Sequence, residues 1–339
     1  MLSYKFRMYP SKTVQAKLSE QLELCRWLYN RLLFELNKAK EEGRKLKPKD
    51  TQALIVKLKE EKPELNNVYS KVLQMVNYQL WSNIKALHRL KENGKKVGKL
   101  RYKGKGWFKT LNFNQSGFKI DFKNKRLILS KVGSIPIKLH SKIEGRIKGV
   151  IVKRQRSGEW YVIVQVEGEP KPKNGKIIGI DVGIRYFLTD SDGRKVENPH
   201  LYKRTLNKIR ILHRNISRKQ KGSKNREKAR VKLAKAYEKL VNQRNDFLHK
   251  LSRFYVNSYD VIVVEELSIR NMVRNHKLAQ HILDASWGKF LRMLSYKAES
   301  AGKRVIKVNP RGTSEGLTLD DPYRDYISAC RIKNRSGLG

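Results

Sequence analysis

Residues 176–193, KIIGIDVGIRYFLTDSDG, limit the possible folds more than any other stretch. Lys176 to Ile180 is a short apolar, β-branched run, the composition of a buried strand. Asp181 interrupts it where an apolar residue would be cheapest. Val182-Gly183 follows, then a second apolar run (Tyr186, Phe187, Leu188) that ends in the turn Asp190-Ser191-Asp192-Gly193. The pattern predicts a β-hairpin with one carboxylate at the end of its central strand. A charge buried there costs several kcal/mol unless a cation or hydrogen bonds compensate it. Taken alone, the stretch leaves two readings open: Asp181 caps a turn, or it ligates a metal.

The remainder of the chain bears on that choice through its charge. Its 339 residues allow two or three domains, and 76 Lys and Arg stand against 31 Asp and Glu, a formal charge of +45. An excess of that size repels itself in a compact state and implies a polyanionic partner, most simply nucleic acid. No apolar run approaches the ~20 residues of a spanning helix, so no membrane partner is expected. The N-terminus enters an alternating strand pattern at once, so no signal peptide is expected. Cys25 and Cys330 are the only cysteines, too few for a zinc ribbon, and the chain reads as intracellular.

In the first half, Leu2, Tyr4, Phe6 and Met8 alternate with polar neighbours as a strand does. Pro10-Ser11 stops it and caps a helix whose stripe is Val14, Leu18, Leu22, Cys25, Leu28 and Leu32, ending near Gly43. A second helical region runs from about Asp50 to Asn93, broken at Pro63. Arg26, Trp27, Tyr29, Asn30, Asn77, Tyr78 and Trp81 mix aromatic and polar groups in a way that suits either nucleic-acid contact or an ordinary helical core. From Val97 onward the pattern becomes short strands: LRYKGK, FKTLNFNQ, FKIDF, RLILS, IPIKL, then RIKGVIVKRQ and EWYVIVQVEG about an Arg156-Ser157-Gly158 turn. These readings predict a β-barrel from residues 1–10 and 96–170, an inserted helical domain over 11–95, and a boundary at the linker EGEPKPKNG.

Residues 201–250 hold 17 Lys or Arg against 3 Asp or Glu while keeping an apolar stripe, so two basic helices are expected between 201 and 259, turning at Gly222-Ser223. Val261-Ile262-Val263-Val264 reads as a buried parallel-type strand with Glu265 at its C-terminal end and Glu266 toward solvent. A helix over about Ala285–Ala301, with Asp284 as its cap, leads to a strand at Arg304–Val308. Asp321-Pro322 then starts a short helix carrying Asp325.

A strand ending in Asp181, a later strand ending in Glu265 and a terminal helix carrying Asp325 resemble the RNase H-like fold of RuvC-type nucleases. Three hard oxygen ligands can hold two Mg²⁺ or Mn²⁺ ions about 3.5–4 Å apart, which suits phosphodiester hydrolysis. More broadly, KFRMYPSKTVQAKLSEQLELCRWLYNRLL, IIGIDVGIRYFLTDSDG, SKNREKARVKLAKAYEKLVNQRNDFLHKLS, VIVVEELSI, DASWGKFLRMLSYKAESAGKRVIKVNPRGTS and RDYISACRI, in this order, resemble the TnpB family, the insertion-sequence-associated proteins related to type V CRISPR effectors.

The resemblance implies an α+β multidomain protein: a wedge-like β-barrel with an inserted helical recognition domain, then a RuvC-like nuclease domain over 171–339. It implies Asp181, Glu265 and Asp325 as the metal-binding catalytic residues, a guide RNA from the transposon end, and cleavage of double-stranded DNA beside a short transposon-adjacent motif in a prokaryotic cytoplasm. Two departures stand out. No Cys lies between Ser314 and Asp325, where the family places a zinc ribbon, so no structural zinc is expected. The family's Asn-Ala-Ala after the last Asp is Ile327-Ser328-Ala329 here. The alternatives are an RNA-guided DNA-binding protein or repressor with little or no cleavage, and a guide-independent resolvase or transposase.

Overall fold

Alternating residues open the chain as strand β1 (Leu2–Met8), which buries Phe6 and Met8. Ser11 ends the approach to helix α1 (Lys12–Glu41) by accepting a hydrogen bond from the Val14 amide. Helix α2 (Pro48–Glu61) begins at a proline, a 3-10 turn follows at Pro63–Asn67, and helix α3 is Ser70–Glu92. Strands β2 (Thr110–Asn114), β3 (Phe118–Asp121), β4 (Arg126–Leu129), β5 (Gly133–Lys138), β6 (Arg146–Arg154) and β7 (Trp160–Glu167) complete the first half. The computed structural model describes residues 2–318 and 320–338. It divides into two compact units, Met1–Glu167 and Gly168–Gly339.

In the first unit all seven strands are antiparallel, in the order β2-β6-β7-β1-β5-β4-β3. Its two edge strands, β2 and β3, are joined by only three residues, Gln115–Gly117, so the sheet must curl until its edges nearly meet. One continuous core joins this barrel-like sheet to α1–α3: Leu18, Leu28 and Leu32 of α1 and Leu73 of α3 share it with Phe113, Val150 and Val162.

Most of the mixed aromatic and polar side chains of the first unit serve this core. Tyr29 is fully buried, with Arg26 and Asn30 beside it bonding the Lys103 carbonyl. Asn77 and Trp81 both bond Thr51, tying α3 to α2, whereas Tyr78 is exposed. LRYKGK, expected as a strand, is an irregular segment: side chains of α1 satisfy its backbone, so no strand partner is needed.

The second unit has strands β8 (Ile177–Asp181), β9 (Tyr186–Asp190) and β10 (Lys195–Glu197), then helices α4 (Leu201–Ser217) and α5 (Lys224–Ser258). Strand β11 (Val261–Glu265), helices α6 (Ile269–Met272), α7 (His276–Ala285) and α8 (Trp287–Ser300), strand β12 (Arg304–Val308) and helix α9 (Arg324–Asn334) follow. The sheet order is β10-β9-β8-β11-β12, antiparallel through β8 and parallel from β8 to β12, the strand order of an RNase H-like domain. The expected α+β multidomain architecture is therefore present.

The helix expected over about 285–301 is α8, and Ser286, with a left-handed φ of 59°, separates it from α7 before it. One expectation needs correction here: Asp284 caps a different helix. Its carboxylate accepts from the Tyr202 amide (2.8 Å) and the Lys203 amide (3.2 Å) in the first turn of α4, and pairs with Arg244 at 3.2 Å. Among the described residues no helix is long and apolar enough to cross a membrane.

Candidate active site

Side-chain alternation along β8 and β11 assigns the two strand carboxylates to one face. Ile178, Ile180, Ile262 and Val264 pack into the core shared with α5 and α8. Ile177, Val261 and Val263 face the other way, against Ile332 of α9. Asp181 and Glu265 continue that second series, so both lie on the α9 side at the C-terminal ends of adjacent parallel strands. Asp325 comes from the first turn of α9.

What lets α9 reach the carboxylates is Gly179. A Cβ there would stand 2.2 Å from the Ala329 carbonyl oxygen and 2.7 Å from the Lys333 amide nitrogen, so any other residue would lift the helix off β8. Beyond Asp181, a Cβ built on Gly183 would lie 4.0 Å from Asp325 Oδ2, which fixes how near the terminal carboxylate comes to the hairpin.

The charges report the same convergence. Asp181 is pushed up to about 8, first by burial and then by the negative charges of Glu265 and Asp325, while Arg324 and the Val182 amide oppose the shift. Burial also raises Glu265, against the Thr313 hydroxyl and the Arg335 guanidinium. Thr313 Oγ1 donates to Glu265 Oε1 at 2.5 Å, leaving the second carboxylate oxygen for another partner.

Thr313 belongs to the loop after β12, and α9 braces that loop. Arg335 donates to the carbonyls of Asn309 (2.8 Å) and Arg311 (2.6 Å), and Arg331 donates to that of Glu315 (2.6 Å). The hydroxyls of Ser314 and Ser328 meet at 3.0 Å. Ser328 is fully buried, so the serine that replaces the family's alanine is part of this brace. Glu265 and residues 310–315 line a cavity of about 390 Å³. None of Gly179, Thr313, Arg331 or Arg335 was singled out from the sequence. Arg331 and Arg335, four apart on one helix face, were the available signal.

The donor set fits a hard divalent cation: carboxylate oxygens only, partly withdrawn from water, with mutual repulsion that a cation would relieve. The side chains are not drawn together as a finished coordination shell, and among the described residues no group of three or more His, Cys, Asp or Glu forms one. The geometry thus brings the three predicted carboxylates to one strand-end face without closing them on a point.

Residues 154–276 match the OrfB_IS605 family, described as "Probable transposase". Residues 1–45 match a family described as "Helix-turn-helix domain", although here they fold as β1 and the single helix α1. Residues 287–318 match the "Cas12f1-like, TNB domain". Asp181 and Glu265 fall inside the first match and Thr313 inside the last, whereas Asp325 lies outside all three.

A Streptomyces pristinaespiralis protein named "Putative RNA-guided DNA endonuclease" is 32% identical over 316 residues, covering 91% of this chain and 77% of the relative. InsQ of Escherichia coli K12, which carries the same description, is 29% identical over 336 residues, covering 92% and 81%. A solved Cas12f1–sgRNA–target DNA complex shares the fold at 14% identity, with a TM-score of 0.54 over 94% of this chain and 82% of that one. From the ordered sequence blocks, the RNase H-like sheet and a 32%-identical relative covered over 77% of its length, the chain belongs to the TnpB family.

Proposed function

We propose that this protein is an RNA-guided DNA endonuclease that cuts double-stranded DNA beside a short transposon-adjacent motif, using a guide RNA from the transposon end. The observation that carries the proposal is the convergence of Asp181, Glu265 and Asp325 on the α9 face of the β8–β11 strand ends, in a chain of net charge +45. The names of two relatives, whose alignments cover 91% and 92% of this chain, support the same reading.

In this reading Asp181, Glu265 and Asp325 hold Mg²⁺ or Mn²⁺, two ions in the two-metal manner. Bound there, the ions would activate water and stabilise the leaving oxygen of a phosphodiester. The chain's own residues do the positioning. Thr313 holds one Glu265 oxygen, so the carboxylate presents the other from a fixed rotamer. Arg331 and Arg335 fix the loop that carries Thr313. Exposed cations of α4 and α5, such as Lys208, Arg210, Lys224 and Lys228, offer contacts to a phosphate backbone. We assign the barrel, residues 1–10 and 96–170, and the helical part, 11–95, to holding guide and target.

A second reading, an RNA-guided DNA-binding protein with weak or no cleavage, has one observation in its favour: the cysteines of the family's zinc ribbon are missing between Ser314 and Asp325. One experiment separates the two. The protein is purified from a host carrying its native locus, its bound RNA is sequenced, and matching duplex is offered with Mg²⁺. Cutting that Asp181→Ala abolishes, with binding kept, supports the nuclease; bound RNA without cutting supports the binder; no bound RNA sinks both. Independently of activity, Mg²⁺ should raise the Tm of the chelator-treated wild type and leave that of Asp181→Asn nearly unchanged.

A further inference from the structure

The segment between α3 and β2 has neither helix nor strand, yet it is tightly held. The Lys103 amide donates to Asn30 Oδ1 at 2.7 Å, and Asn30 Nδ2 donates back to the Lys103 carbonyl at 3.0 Å. Arg26 Nη1 reaches the same carbonyl at 3.1 Å, and the Gly106 amide donates to Glu23 Oε1 at 3.1 Å. Three side chains of α1 thus substitute for a partner strand. The turn closes on itself through the Trp107 amide and the Gly104 carbonyl at 3.1 Å, and Phe108 is buried as its anchor.

What this fixed segment displays is unusual. Trp107 is 70% exposed, the only exposed tryptophan of five, and Tyr102 is 53% exposed. Its indole runs along the loop backbone, where a Cβ on Gly104 would come within 3.3 Å of Cδ1. Residues 93–120 contain eight Lys or Arg and no Asp or Glu. Lys109, at the end of the segment, has its amine pushed below the usual range by burial and by crowding from Arg156, Arg154 and Lys153.

We propose that residues 99–109 are a preformed stacking element that seats an unpaired base of an RNA strand on Trp107, its phosphates taken by the surrounding cations. The inference rests on the nucleic-acid reading above and extends it to a named contact. Two separate exposed rings on a segment that carries Lys99, Arg101, Lys103, Lys105 and Lys109 lack the contiguous apolar area of a protein interface and match a base with its charged backbone. Duplex DNA keeps its bases stacked on one another, whereas unpaired RNA bases are free to stack on aromatic side chains. Because the loop is already ordered by α1, little conformational freedom is lost when a base docks.

The test uses the full chain, freed of co-purified RNA, with a fluorescent 12-nucleotide oligouridine, the oligothymidine of equal length and a 12-base-pair RNA duplex. Trp107→Ala should weaken oligouridine binding about 10-fold or more, with the salt dependence unchanged because no phosphate contact is removed. Trp107→Phe should restore most of the affinity, and the RNA duplex should bind all three proteins alike. Equal oligouridine affinity for wild type and Trp107→Ala would overturn the proposal, as would an equal loss on the duplex. A loss confined to oligothymidine would overturn the assignment to RNA. Failure of the wild type to bind any of the three probes would count against the nucleic-acid reading itself, a result distinct from an indifferent Trp107.

Discussion

Lys297 is the charged side chain most at odds with its surroundings. It is 3% exposed on α8, and its ammonium finds only neutral acceptors on α5, the His249 carbonyl (2.8 Å) and Ser252 Oγ (2.7 Å). Burial, with Arg253 adding to it, holds its pKa down to about 7 from an ordinary 10.5. Burial, with the charges of Lys297, Lys289 and Arg253 beside it, lowers His249 to about 4. Between pH 7 and 10.5 the unfolded chain therefore binds the proton that the folded chain has released, so this residue makes the fold more stable as pH rises through that window. Below pH 7 both states are protonated and the full burial penalty stands. Lys297→Met should raise the Tm at pH 6.5 and flatten its rise toward pH 10, measured as the difference from wild type so that general charge repulsion cancels. Parallel Tm-against-pH curves for the two proteins would show that Lys297 is not buried as a charge.

Elements meet at the site through one missing side chain. Gly179→Ala would force Cβ onto the Ala329 carbonyl, and α9 would have to move away from β8 with Asp325, Arg331 and Arg335 aboard. Overpacking of that kind costs ~1–3 kcal/mol, and chemical denaturation should read it as a lower midpoint with an unchanged slope. Cutting should fall further than stability alone explains, because Asp325 moves. The comparison is cutting by Gly179→Ala at a temperature where it remains fully folded. Strands β8, β9 and β11 and both basic helices were legible in the sequence because alternation, caps and turn residues are local signals. The role of Asp284 was not, since its α4 partners lie some eighty residues upstream and a capping carboxylate reads the same whichever helix it serves. LRYKGK alternates like a strand, and nothing within it discloses that Asn30 will take its hydrogen bonds. Thr313 stayed hidden because its partner, the Glu265 carboxylate, lies 48 residues away in the chain, and the arginines because their partners are backbone carbonyls, which carry no sequence signature.

At the scale of the molecule, charge is the dominant fact, and it makes a prediction that depends on neither guide nor cleavage. If the +45 serves phosphate contact, the affinity for a generic DNA duplex should fall by about 10³ or more between 50 and 200 mM salt. Electrophoretic or anisotropy titrations at several salt concentrations check this, and a shallow dependence would mean that most of the cations face solvent rather than nucleic acid. The first unit adds a consequence for how the protein is made. Strand β1 sits inside its sheet, with Leu2 opposite Val166 of β7 and Met8 opposite Ile137 of β5. It thus waits for partners synthesised well over a hundred residues later. Until then, Phe6 and Met8 sit on a strand with two open edges, while α1–α3, whose contacts are local, can already fold. The interval between the emergence of β1 and that of β7 is when this chain is most exposed to aggregation. Translation speed and chaperone supply over that interval, more than the final stability, should govern its yield.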